Sequence, residues 1–233
     1  ADSLPAHIGE YFDIPTFVLS PIDNRYWLPL STMHQGFWSK FDDFIFTKAL
    51  SNQLEWWLKT TTISPLCFYG NPGNGKTSFA KFISQTKGDS VLYEDCNEVK
   101  SSFKQMFDRI SSFARTISLF EEDKAWSKVL VLDEFHNLTE LQMNYFKVPF
   151  EEWSDLGIQI IVCCNTGRRL PIESTLIPAL ISRLELISFD TDINDRSELT
   201  TKVLSKFPQL DKHTVHRLLP DYRKIVKSTK LYC

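Results

Sequence analysis

The segment Gly70-Asn71-Pro72-Gly73-Asn74-Gly75-Lys76-Thr77 constrains this chain more than any other stretch. It fits the pattern G-x-x-x-x-G-K-[ST], which a chain of this length would meet by chance only about once in a hundred. Its setting narrows the reading further. Leu66-Cys67-Phe68-Tyr69 ahead of it has the character of a short buried strand, and Ser78-Phe79-Ala80-Lys81-Phe82-Ile83 behind it reads as a helix. Strand, glycine-rich loop and helix in that order turn backbone N–H groups and a helix N-terminus toward a bound polyphosphate. Lys76 is the group to reach the β- and γ-phosphates, and the Thr77 hydroxyl is the group to ligate Mg²⁺. Gly70, Asn71, Pro72, Gly73, Asn74, Gly75 and Ser78 complete the expected cradle. The expected ligand is a nucleoside triphosphate, ATP in the usual case, with Mg²⁺.

Around this loop the chain alternates. Strands are expected at Leu66–Tyr69, Ser90–Tyr93, Val129–Leu132, Ile158–Cys164 and Leu186–Phe189. Helices are expected at Thr47–Lys59, Lys76–Thr86, Val99–Ser118 and Leu141–Trp153. Strands with continuous Val, Ile and Leu content separated by helices predict a parallel sheet covered on both faces. Residues 1–40 carry Pro5, Pro15, Pro21 and Pro29 with little periodicity and are expected to form an irregular arm. After Asp190 the pattern becomes helical, at Asp195–Phe207, Lys212–Leu218 and Asp221–Tyr232, with Pro208 and Pro220 between. The expected organisation is an arm at 1–40, an α/β nucleotide-binding domain at 41–190 and a small helical lid at 191–233.

Two strand ends complete the chemistry. Lys128-Val129-Leu130-Val131-Leu132-Asp133-Glu134 is an apolar run that delivers two acids to the crevice where ligands bind in such sheets. Asp133 is expected to hold Mg²⁺, and Glu134 to polarise the water that attacks the γ-phosphate. Gln159-Ile160-Ile161-Val162-Cys163-Cys164 ends at Asn165, whose amide can hydrogen-bond the attacking water or the γ-phosphate.

Together these residues resemble the AAA+ ATPases. The resemblance implies a P-loop αβα core with a five-stranded parallel sheet and a helical lid. Pro178-Ala179-Leu180-Ile181-Ser182-Arg183 is similar to the family's segment that ends in an arginine finger, so Arg183 is expected to reach the γ-phosphate held by a neighbouring subunit. Pro220-Asp221-Tyr222-Arg223-Lys224 is similar to the sensor-2 helix of the lid, whose Arg contacts phosphate in cis; that role falls to Arg223.

Within the AAA+ proteins the chain resembles clamp-loader small subunits, the phage type especially. Asn24-Arg25-Tyr26-Trp27-Leu28-Pro29 is loosely similar to their opening motif, and Phe41-Asp42-Asp43-Phe44-Ile45 to the segment beside the adenine. Glu94-Asp95-Cys96-Asn97 stands where their second strand ends in an Asn-rich turn. It departs from them at Leu184, where a Cys is usual, and at Met143, where a coupling Gln is usual and Gln142 lies one place away. Clamp loaders also carry a helical collar domain that does not follow the lid here, so the chain is expected to be either truncated or a relative that assembles differently.

The resemblance implies self or homologous AAA+ subunits in a ring, DNA, and a replication or recombination partner protein. Phosphate contacts are expected from helix N-termini and from lysines such as Lys100 and Lys104, which read equally well as a solvated helix face. A viral superfamily 3 helicase or another nucleic-acid-remodelling AAA+ ATPase is the alternative, and an ATP-switched adaptor, as in DNA transposition, is a third. The composition is that of an ordinary globular chain: 233 residues, 42% hydrophobic, 24% charged and a formal charge of −3, with no electrostatic signature of nucleic-acid binding. Five cysteines include the neighbours Cys163-Cys164 in an apolar run, which points to buried thiols in a reducing compartment and not to a disulfide framework. Nothing suggests zinc, and His213 and His216 on one helical face read as surface residues. No long apolar run or signal peptide is present, so an intracellular protein is expected, in the cytoplasm or a nucleus, without membrane partners.

Overall fold

All strand pairings in the five-stranded sheet are parallel, in the order β2-β3-β4-β1-β5. The computed structural model describes residues 40–97, 102–116, 125–167 and 171–229. Residues 1–39 of the arm expected at 1–40, the 24–29 motif and Lys100 lie outside the described residues, as do the far ends of the helices expected at 99–118 and 221–232. The chain divides into two compact units, 1–44 and 45–233. Of the first, residues 41–43 form a single 3₁₀ turn, closed by the Lys40 N–H on Asp43 Oδ2 at 2.8 Å.

In the second unit α1 (Lys48–Lys59) precedes β1 (Leu66–Gly70), followed by α2 (Lys76–Lys87), β2 (Gly88–Asp95), α3 (Phe103–Arg115) and β3 (Trp126–Asp133). The chain continues through α4 (Glu140–Asn144), α5 (Lys147–Asp155), β4 (Ile158–Asn165), α6 (Pro178–Ile181) and β5 (Glu185–Ser188). It ends in α7 (Arg196–Lys206), α8 (Lys212–Leu218) and α9 (Tyr222–Thr229). The sheet is therefore the one expected, with β1 in its interior between β4 and β5.

Side chains alternate across the strands, and both faces are packed. Leu130, Leu132, Ile160, Val162 and Cys164 meet Met106 and Ile110 of α3 and Phe150 and Trp153 of α5. On the opposite face the Phe68 ring packs at a tilt against Phe79 of α2 and against Phe189, with centroids 5.7 and 5.1 Å apart. Each fully buried side chain of this size contributes about 2 kcal/mol by leaving water. Burial on both faces explains why β3 and β4 read as unbroken apolar runs and not as alternating ones.

The helix expected at 99–118 spans Phe103–Arg115, and two further departures from the sequence expectation have a clear cause. β2 begins and ends two residues beyond 90–93, because its pairing with β3 continues from Gly88↔Trp126 to Asp95↔Asp133. The single helix expected over 141–153 is two helices, α4 and α5, interrupted at Tyr145 and Phe146. Pro149 is the cause. It has no N–H for the Tyr145 carbonyl and its ring crowds that carbonyl, so it is accommodated in the first turn of a new helix. α4 starts on a capping box, with Thr139 Oγ1 accepting from Gln142 N and Gln142 Oε1 accepting from Thr139 N.

The three C-terminal helices bury their own apolar faces together: Leu199, Val203, Phe207, Val215, Leu219, Tyr222 and Ile225, with Ile45. Their ties to the rest of the unit are specific. Glu198 Oε1 accepts from Lys48 N at 2.9 Å, Lys202 Nζ donates to the Phe46 carbonyl at 2.8 Å, and Tyr222 N donates to the Gly73 carbonyl at 3.1 Å. The last of these sets α9 directly against the glycine-rich loop.

Candidate functional site

The loop between β1 and α2 takes a shape that ordinary residues resist. Gly75 occupies the left-handed region (φ 91°) and turns the chain straight into α2, whose first residue is Lys76. Gly73 (φ 89°) lies so close to α9 that a Cβ there would overlap the Asp221 carboxylate. Among the described residues, no backbone N–H from Gly73 to Ser78 has a protein acceptor. A run of unpaired N–H groups at a helix N-terminus is an anion site by construction.

Lys76 is buried, and its Nζ donates to the carbonyls of Gly70 (2.9 Å) and Asn71 (2.8 Å). Burial lowers its pKa, while Cys163, Asp190 and Glu134 pull it back up. Two of its three donors rest on the loop itself, so an arriving anion finds the ammonium already in place. Asn71 and Asn74 brace the loop with their side chains. Asp190, just after β5, accepts from Asn71 N and Nδ2, both at 2.7 Å, and from Asn74 Nδ2 at 3.3 Å, while Asn74 Nδ2 also donates to the Phe189 carbonyl. Their part in the expected cradle is thus to hold its shape.

The strand ends bring the acids to the loop. The Thr77 hydroxyl donates to Asp133 Oδ1 at 3.0 Å, and the Tyr93 phenol from β2 donates to Asp133 Oδ2. A hydroxyl and a carboxylate already side by side are hard oxygen donors, and they fit Mg²⁺, which takes few protein ligands and completes its shell with water and phosphate. Among the described residues no group of three or more His, Cys, Asp or Glu side chains suits another metal.

Glu134 follows Asp133 in a backbone conformation rare for its kind, φ 51°. Its carboxylate oxygens accept from Asn165 Nδ2 at 3.0 and 2.8 Å. Asn165 is paired with Gly70 in the register of β4 and β1, which places the amide at the mouth of the loop. His136, at the same turn, accepts the Asn165 backbone N–H on Nδ1 at 3.1 Å, and its Nε2 lies 3.4 Å from Glu134 Oε2. Burial depresses the His136 pKa, with Glu134 opposing.

Lys76, Thr77, Asp133, Glu134 and Asn165 therefore meet in one place, on the C-terminal edge of the sheet. The profile of the ATPase family associated with various cellular activities (AAA) matches residues 66–190, more than half of the chain. The chain belongs to the AAA family.

Relatives of this AAA protein lie among replication proteins. It is 29% identical over 165 residues to a replication factor C small subunit of Methanococcus maripaludis, covering 68% of this chain and 50% of the relative. It is 26% identical over 163 residues to replication factor C small subunit 2 of Pyrobaculum islandicum, covering 64% and 50%. The chain thus spans about half the length of these curated relatives. Among solved structures it is similar in fold to the replication initiator DnaA bound to AMPPCP and single-stranded DNA, with a TM-score of 0.60, 20% identity, and 83% and 64% of the two chains covered. The Thermotoga maritima RuvB Holliday junction branch migration motor superposes with a TM-score of 0.51 at 19% identity, covering 76% and 57%.

Two arginines, Arg183 and Arg223, were expected to reach phosphate. Arg183, after α6, pairs through Nε with Glu151 of α5 at 2.9 Å and donates from a terminal nitrogen to the Ala179 carbonyl. The structure does not bring it to the loop of its own chain. Arg223 is exposed in the first turn of α9, and its charge is felt by Lys76, whose pKa it lowers. Lys104 is exposed on α3, and His213 and His216 are exposed on α8. Cys67, Cys96, Cys163 and Cys164 are all buried free thiols.

Three residues around the loop escape a reading of the sequence alone: Tyr93, His136 and Asp190. His136 and Asp190 left a signal in position, one two residues past the acidic pair and the other at a strand end. Tyr93 left none, since only the register of β2 brings it in.

Proposed function

We propose that this AAA protein binds ATP with Mg²⁺, hydrolyses it, and does so in an assembly of like subunits that acts on DNA in the manner of a clamp loader. The reading rests above all on the convergence of Lys76, Thr77, Asp133, Glu134 and Asn165 at one loop. In it, the N–H groups of residues 73–78 and the Lys76 ammonium receive the β- and γ-phosphates. Thr77 and Asp133 hold Mg²⁺, which when bound neutralises phosphate charge. Glu134 accepts a proton from the attacking water, and Asn165 turns from Glu134 toward the water or the γ-phosphate. Arg223 approaches the phosphates from the helical lid at 191–233, which Tyr222 and Asp221 already seat on the loop. Arg183, engaged away from its own chain's loop, serves the site of a neighbouring subunit.

The likeness to replication factor C small subunits supports a clamp-loading role over the helicase alternative. Steady-state ATPase measurements with primer–template DNA and a sliding clamp test that choice. Several-fold stimulation by the two together is expected. Unwinding of a forked duplex, without stimulation by clamp and primer–template, would replace this role with the helicase one. One observation favours switch-like turnover: the Asn165 amide donates to both Glu134 oxygens, so in this reading hydrolysis waits on that amide being drawn away.

A further inference from the structure

Asn165 is asked to do two things that conflict. It holds the Glu134 carboxylate, and in the proposed reaction it leaves that carboxylate for the phosphate. Something else has to keep Glu134 aimed when it goes, because a carboxylate free to rotate loses the near-attack geometry that general-base chemistry requires. Glu134 is already in a strained backbone conformation (φ 51°), so its position depends on its surroundings.

The geometry points to His136 as the positioning residue of Glu134: a neutral imidazole whose Nε2–H keeps the carboxylate oriented after Asn165 turns away. This inference rests on the reading of Glu134 as the proton acceptor. Its basis is the tautomer. The backbone N–H of Asn165 can only donate, so the ring nitrogen facing it at 3.1 Å, Nδ1, must be bare. A neutral ring bare at Nδ1 carries its proton at Nε2, which is the nitrogen 3.4 Å from Glu134 Oε2. That separation is long for a hydrogen bond and suits a contact that tightens on the nucleotide complex.

One strand end therefore acts on Glu134 twice. The Asn165 side chain holds the carboxylate directly, and the Asn165 backbone, fixed in β4 by its register with Gly70, sets the proton on the ring that holds it a second time. The backbone contact does not depend on where the Asn165 side chain points, so it survives the turn of the amide. Histidine is suited to the task because its two nitrogens accept on one side and donate on the other at fixed separation.

Three substitutions separate this role from simple packing. His136→Phe keeps ring volume and removes both nitrogens. It is expected to lower kcat about tenfold, in the range typical for a partner that orients a functional group, with ATP-analogue affinity unchanged. His136→Gln places an amide N–H where Nε2 stood and is expected to recover most of that loss. His136→Asn keeps an acceptor near the Asn165 N–H but falls short of Glu134, and is expected to remain as slow as His136→Phe. Recovery by Asn and not by Gln would assign the residue to bracing the Asn165 backbone and overturn the inference. Imidazole ¹⁵N–¹H correlation spectra of the unmutated chain read the tautomer without any variant; a proton on Nδ1, with or without an ATP analogue, overturns it as well. Glu134→Gln measured alongside keeps the two claims apart. If it is inactive while His136→Phe turns over normally, the inference about His136 fails and the role of Glu134 stands. If it hydrolyses ATP at the normal rate, the role of Glu134 fails first.

Discussion

Lys76→Ala loses ATP binding. In the unmutated chain the ammonium is buried and satisfied by the Gly70 and Asn71 carbonyls, with a donor in reserve. A triphosphate replaces those neutral acceptors with charged ones, and charge-assisted hydrogen bonds are worth about 1.5–3 kcal/mol each. Alanine removes them and leaves the phosphates facing backbone dipoles with no full positive charge. A fall in affinity of about 100-fold is expected, large enough to abolish hydrolysis at ordinary ATP concentrations. Titration with a fluorescent ATP analogue checks it, with a thermal melt to show that the loop still folds without its lysine strut. Tight binding by the alanine variant would refute the phosphate-cradle reading of Gly70–Thr77.

Glu134→Gln gives the opposite pattern. Glutamine has the same shape and retains an oxygen that can accept from Asn165 Nδ2, so the strand ends and the Thr77–Asp133 pair are undisturbed. What disappears is the capacity to take a proton from water. ATP binds as before and kcat falls by about 100-fold to 10,000-fold, the range of a lost general base. Equilibrium binding and single-turnover hydrolysis, measured on one preparation, separate the two effects. Because the two variants fail at different steps, their contrast distinguishes a hydrolytic site from a site that only binds.

Much of this was legible in the residues because backbone constraint and burial leave strong marks. The loop at 70–77 requires glycine where φ is positive, at Gly70, Gly73 and Gly75. β3 and β4 are buried on both faces, so their ends could be found from unbroken apolar runs, and those ends carry Asp133, Glu134 and Asn165. Less legible was whatever depends on which elements become neighbours. Asp190 braces Asn71 and Asn74 because β5 lies beside β1. Tyr93 reaches Asp133 only because β2 and β3 stay in register to their last residues. The pairing of Arg183 with Glu151 joins segments with no pattern in common. Pro149 marks a break that the apolar pattern conceals: helical periodicity runs on across residues 141–153, while the missing N–H splits the helix in two.

In the proposed function the site is shared between neighbouring subunits, and mixing two variants tests this. Arg183→Ala subunits keep Glu134 but lack the arginine they would lend; Glu134→Gln subunits lack the base but keep Arg183. Each alone is expected to be nearly inactive. Mixed at varying ratios, they should hydrolyse ATP faster than the sum of the separate preparations, with a maximum at an intermediate ratio. Activity that never exceeds that sum at any ratio would contradict a site completed by the neighbouring subunit.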